Sequence, residues 1–130
     1  MTHSLAVLAT ALLFGGMTLF SFGFAAILFS ALPVTLARST LRKTFPWFYL
    51  FVLATAALAA LLWWSNDTLS GVVMAAVALT TIPLRQYLMP AINRATDAGQ
   101  RKRFNWLHRA SVLVTLAHIA VTGWLLFRLV

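Results

Sequence analysis

Cysteine is missing from this chain and acidic residues are almost missing, with Asp67 and Asp97 the only two in 130 residues. Without cysteine there is no disulfide, no thiolate metal site and no cysteine nucleophile, and nothing marks a redox compartment. Neither acid falls inside a long apolar run, so proton- or cation-coupled exchange through the membrane lacks its carboxylate. Charge of any sign is scarce. Charged residues are 9% of the sequence, against roughly 25% in soluble domains. Apolar residues are 62%, where about 45–50% is usual. A soluble fold of this size would expose too much of that apolar surface, so the chain reads as a single membrane domain, residues 1–130.

The residues that are present follow a pattern. Nine of the ten Lys and Arg residues lie in two windows, Arg38–Lys43 and Arg85–Arg109, within a formal net charge of +8. A basic face can mark a nucleic-acid binder. Here the cations flank apolar runs, where membrane topology signals sit, and no nucleic-acid partner is expected.

A spanning helix needs about 20 apolar residues. Four segments qualify, at about residues 4–32, 46–64, 68–92 and 104–130. The first is about twice as long as the apolar core of a signal peptide and lacks a basic leader, so it reads as a retained span. Ser65-Asn66-Asp67-Thr68 is a tight polar turn whose Asp or Thr would cap the third span. The other two connections carry Arg38, Arg42 and Lys43, then Arg94, Arg101, Lys102 and Arg103. Short loops rich in Lys and Arg stay inside, which places loops 33–45 and 93–103 in the cytoplasm and both termini outside, as in a bacterial inner-membrane protein. A dual-topology exporter of similar length would need balanced loops, and these are not balanced.

Trp and Tyr favour the membrane–water interface. Trp47, Tyr49, Trp63, Trp64, Tyr87, Trp106 and Trp124 are accordingly expected as anchors at the span ends. Residues 33–45 admit two readings: a short helix lying on the cytoplasmic surface, or a simple extension of the first span. Arg38, Arg42 and Lys43 would meet anionic headgroups in the first case.

Three further features offer packing or chemistry. On the first span Ala9, Gly16, Gly23 and Ser30 recur every seven residues, a small-residue seam along one helix face. Ala56 with Ala60, and Gly71 with Ala75, repeat the small-xxx-small spacing on spans two and three. On the fourth span His108, Ser111, Thr115, His118 and Thr122 form a polar stripe within an arc of about 80°. Such a stripe should point into the bundle. It supports three readings: interhelical hydrogen bonds, a haem or metal ligand, or a polar path for a small solute or proton. His108 and His118 are roughly 15 Å apart along the helix, too far to share one metal ion. No other span holds a second histidine for a bis-histidine haem. Arg85, just after Pro83, either snorkels to the interface or turns inward to bind an anionic group or pair with Asp97.

The chain resembles the transmembrane protein 205-like family, whose bacterial members are a domain of unknown function. Gly15-Gly16, Phe45-Pro46-Trp47-Phe48-Tyr49, Leu88-Met89-Pro90-Ala91-Ile92-Asn93 and Phe104-Asn105-Trp106-Leu107-His108-Arg109-Ala110-Ser111 carry the resemblance, in that order. It departs at Thr115, where the family pattern tends to Asn. The resemblance implies a four-span membrane protein and supplies no reaction. The sequence thus predicts an all-α bundle of four transmembrane helices, with no catalytic or metal-binding set. The expected role is non-enzymatic packing or complex formation in the bilayer, as a homo-oligomer or with other membrane proteins. A small-solute transporter using the span-four stripe and a haem-binding redox subunit are the alternatives.

Overall fold

In hydrocarbon a backbone N–H has no water to bond, so a spanning chain satisfies itself within helices. The computed structural model describes residues 1–129 and contains four helices long and apolar enough to cross a membrane: α1 (Thr2–Ala31), α2 (Val34–Trp64), α3 (Thr68–Asp97) and α4 (Arg101–Arg128). There is no strand among the described residues. The protein is an all-α membrane bundle of four spans.

The connections are shorter than the sequence suggests, because helix continues through the basic windows. Leu32 is extended (φ −122°, ψ 151°) and Pro33 follows at the N-cap of α2. A proline pushes its predecessor out of the helical region, which ends α1 there. Residues 33–45 are neither an extension of α1 nor a separate surface helix. From Val34 onward they are the first turns of α2, which runs on through Pro46. Its 31 residues reach roughly 46 Å at about 1.5 Å per residue, well beyond the ~30 Å of hydrocarbon. The expected loop 93–103 also contracts, since α3 ends at Asp97 and α4 begins at Arg101. Gly99 adopts φ 67°, the Gln100 N–H bonds Ala95 O at 2.9 Å, and the Gly99 N–H bonds Thr96 O at 3.2 Å. That is the Schellman closure, which needs a left-handed residue where glycine costs least. At the other end Asp67 caps α3 by accepting the Leu69 N–H at 3.2 Å.

Two helices carry a π turn. In α1 it spans Leu19–Phe24, and in α3 it spans Leu84–Leu88, directly after Pro83. The Ala25 N–H bonds Phe20 O and the Met89 N–H bonds Leu84 O, each five residues back. A π turn shifts the register of everything beyond it. This explains why the small-residue seam of α1 is only half a seam. Ala9 is buried and Gly16 lies against Phe51 of α2. Gly23, inside the π turn, has only its own helix's Leu19 near it, and Ser30 is exposed with its hydroxyl on Ile27 O. On the α2 side the π turn is held by aromatic contact, with Phe20 flat on Phe48, centroids 4.1 Å apart.

The central helix is α2, in contact with α1 on one side and α3 on the other. Leu13, Met17, Val52, Trp63, Met74 and Leu125 are fully buried between the helices. On α2 the buried positions Tyr49, Val52, Ala56, Ala59, Ala60 and Trp63 fall on one face. Tyr49 and Trp63 are therefore core residues and do not act as anchors as expected. Trp47, Trp64, Tyr87, Trp106 and Trp124 remain exposed. Trp63 finds a polar partner inside the bundle: its indole N–H donates to Thr10 Oγ1 at 2.9 Å, and Thr10 donates to Ala6 O at 2.8 Å. α4 crosses α1 where Gly123 receives the Phe14 ring, which would stand 2.9 Å from a Cβ at that position.

Thr10→Val should strand the buried indole N–H and destabilise the bundle by about 1 kcal/mol, in the range of interhelical hydrogen bonds in membranes. Trp63→Phe in the Thr10→Val background should then cost less than in wild type. Unfolding in detergent micelles measures both, and an additive double mutant would contradict the coupling.

Candidate functional site

α3 and α4 meet at their Gly99 turn but make few contacts toward the bilayer centre, because α3 leans on α2 and α4 leans on α1. The result is a groove of about 1010 Å³ between them, open on one side. Its walls are apolar, with Val77, Leu84 and Leu88 from α3 facing Val114, Ala117 and Val121 from α4. The polar contact within it joins Thr80 to His118, whose Nε2 lies 2.8 Å from Thr80 Oγ1. Thr80 also lies 2.7 Å from Ala76 O. A hydroxyl has one proton to give. With that proton on Ala76 O, His118 donates from Nε2.

The polar stripe of α4 divides by position. Ser111, His118 and Thr122 are buried, and Thr115 is half-buried beside the Tyr49 hydroxyl. His108 is exposed and stacks on Phe104 at the basic end, with centroids 5.4 Å apart, so it does not enter the bundle. Ser111 donates to His108 O at 2.8 Å and Thr122 to His118 O at 2.8 Å. Both hydroxyls are thus spent on their own helix, as Ser and Thr often are. Two stripe members reach across: Thr115 toward α2 and His118 to α3. The stripe is a set of separate satisfied contacts with no continuous file of polar groups.

For a bis-histidine haem, no second imidazole faces His118. His3 sits at the opposite end, edge-on to Trp63 at 5.2 Å. No group of three His, Cys, Asp or Glu among the described residues has metal-binding geometry. Tyr49 and Thr80 were the partners hard to see in sequence. A signal for Tyr49 existed: it lies two residues after Trp47, about 200° round the helix, so both rings cannot face lipid.

The charged candidates sort themselves at the basic end. Arg42 holds Asp97 through two hydrogen bonds of 2.7 and 2.8 Å, tying α2 to α3. Arg85 therefore has no acid partner there. Its Nε donates to Pro46 O at 3.2 Å, which lashes the α3 π turn to α2 at half-buried depth. Arg38 and Lys43 are exposed, as headgroup contacts need to be. At the opposite end Asp67 accepts from Ser70 at 2.6 Å and pairs with Arg128. The Ser70 hydroxyl, with Arg128 and two backbone N–H groups, holds the Asp67 carboxyl below its usual range. Arg128 also sits over the Trp124 ring at 5.5 Å. This cluster joins the α2–α3 turn to the last turn of α4.

Thr80→Val should strand the His118 imidazole and cost about 1–3 kcal/mol. His118→Leu leaves Thr80 its bond to Ala76 O and should cost less. Micelle unfolding of the two variants reads the order, and the reverse order would refute this hydrogen-bond assignment.

No curated protein and no solved structure is significantly similar to this chain. A family model described as a domain of unknown function, DUF4149, matches residues 8–101. The match takes in Gly15-Gly16, Phe45–Tyr49 and Leu88–Asn93, and it ends before the Phe104–Ser111 segment of α4. Four membrane helices, a tightly packed α1–α2–α3 unit and a lateral groove beside α4 are thus the structural form of this chain, which belongs to the DUF4149 family of unknown function.

Proposed function

We propose that the chain is a non-enzymatic component of a cell membrane that assembles with other spans through the outward face of α1. Gly15 carries this reading. A Cβ built on Gly15 would meet nothing within 4 Å, so the fold itself has no need of glycine there. Ala11, one turn earlier, is exposed as well. In lipid such a small-xxx-small pair lets a second backbone approach closely, and packing then drives association. α1 is also the least covered span: 11% of its most apolar window is buried, against 39% for α2 and for α3. From Leu19 to Ala31 it buries no residue at all. A second copy of the chain is the simplest partner, since the same face then meets itself about a two-fold axis.

The orientation that goes with this reading places the basic end in the cytoplasm and both termini outside, as in a bacterial inner membrane. The ordered motifs also support a distant kinship with the transmembrane protein 205-like family.

Gly15→Leu should abolish self-association, read by cross-linking in liposomes, while shifting stability by no more than about 0.5 kcal/mol. Gly16→Leu should do the opposite and damage the fold, because its Cβ would stand 2.6 Å from Phe51 Cε1. Association that survives Gly15→Leu would sink the proposal. The cysteine-free chain suits a direct test of orientation. Asn66→Cys should react with an impermeant thiol reagent added outside intact cells, and Gly99→Cys should not; the reversed pattern would invert the assignment.

A further inference from the structure

The α3–α4 groove has dimensions that narrow what can enter it. Along α4 it runs from Leu107 to Val121, roughly 21 Å at about 1.5 Å per residue. One leaflet holds about 15 Å of hydrocarbon, half the usual ~30 Å. The groove is therefore long enough for a whole acyl chain. Its volume is about 1010 Å³, and apolar side chains make up nearly all of its walls. An extended hydrocarbon chain fits a groove of that length and lining. The opening faces the bilayer, so lipid is also the molecule at hand.

The mouth at the basic end has a sign. Arg94 lies one turn beyond Ala91, and Arg103 one turn before Leu107, the last groove-lining residues at this end of α3 and α4. Both arginines are exposed. Among the described residues the ion pairs are Arg42–Asp97 and Arg128–Asp67, so neither Arg94 nor Arg103 is matched by an acid. Tyr87 stands 74% exposed on the groove lip, where an amphipathic ring suits the headgroup boundary. We propose that the groove takes one acyl chain of an anionic glycerophospholipid, with Arg94 and Arg103 holding its phosphate. This site is separate from the α1 face and does not depend on self-association.

Native mass spectrometry of the full chain in detergent tests the proposal, with dioleoylphosphatidylglycerol or dioleoylphosphatidylcholine titrated in. Each arginine near the surface gives about a fivefold preference for an anionic lipid, so the first phosphatidylglycerol should bind about thirtyfold tighter than phosphatidylcholine. Arg94→Gln/Arg103→Gln should erase that preference and leave phosphatidylcholine binding unchanged. Ala117→Trp and Ala76→Phe alter opposite walls at exposed positions. Each should weaken the first binding event of both lipids by about tenfold, and two walls guard against one variant failing to fold. Arg38→Gln/Lys43→Gln should leave the first event as in wild type. The proposal is overturned if that last pair erases the preference instead, since the lipid would then be held by the basic surface at large. It is equally overturned if both wall variants bind like wild type. A dimer that Ala117→Trp converts to monomer, with lipid binding unchanged, would show that a second copy fills the groove.

Discussion

Every polar group that enters the hydrocarbon must find its partner inside the protein, and the architecture follows from how these partners are found. Most hydroxyls turn back on their own helix. Thr10, Thr18, Thr44, Thr80, Thr81, Ser111 and Thr122 all donate to a carbonyl three or four residues earlier. Only a few polar side chains bridge helices, and each one fixes a crossing. Trp63 to Thr10 sets α2 on α1, Arg85 to Pro46 sets α3 on α2, and His118 to Thr80 spans the groove. No buried side-chain nitrogen or oxygen among the described residues is left without a partner.

These bridges are unevenly placed, and the unevenness shapes the molecule. α1, α2 and α3 interlock through small residues and large apolar ones, while α4 leans on α1 and is tied to its other neighbours chiefly at its two ends. At one end the Gly99 turn binds it to α3. At the other, Arg128 reaches Asp67 and Gly123 receives Phe14. Between those ends the single His118–Thr80 bond stands in place of the apolar contact that would otherwise close α3 on α4. The groove is what remains where contact fails.

The spans themselves could be read from length, hydropathy and the placement of the cations, because those features act one segment at a time. The Asp67 cap was legible for the same reason. What sequence did not reveal depends on register and on tertiary choice. The heptad of Ala9, Gly16, Gly23 and Ser30 assumes an unbroken α-helix, and the π turn at Leu19–Phe24 rotates the last two away. Tyr49 and Trp63 look like anchors by type and position, yet their spacing places them on the face that α2 turns inward. Arg85 had a claim on Asp97, and only the packing of α2 against α3 gives that place to Arg42. The stripe on α4 was visible as a stripe. Its partners, Tyr49 and Thr80, lie on other helices and leave no mark in the spacing of α4.

The length of α2 has a consequence for the surrounding lipid. It is continuous for 31 residues and braced near each end, by Arg42 on Asp97 and by Trp63 on Thr10. A lone helix whose apolar stretch does not match the bilayer thickness adapts, for example by tilting. This one cannot tilt without dragging α1 and α3 along, so the bundle behaves as a ruler of fixed length. In a thin or thick membrane the adjustment falls on the bilayer, which must swell or pinch around the protein. Regions whose native thickness already matches would then hold it at the least elastic cost.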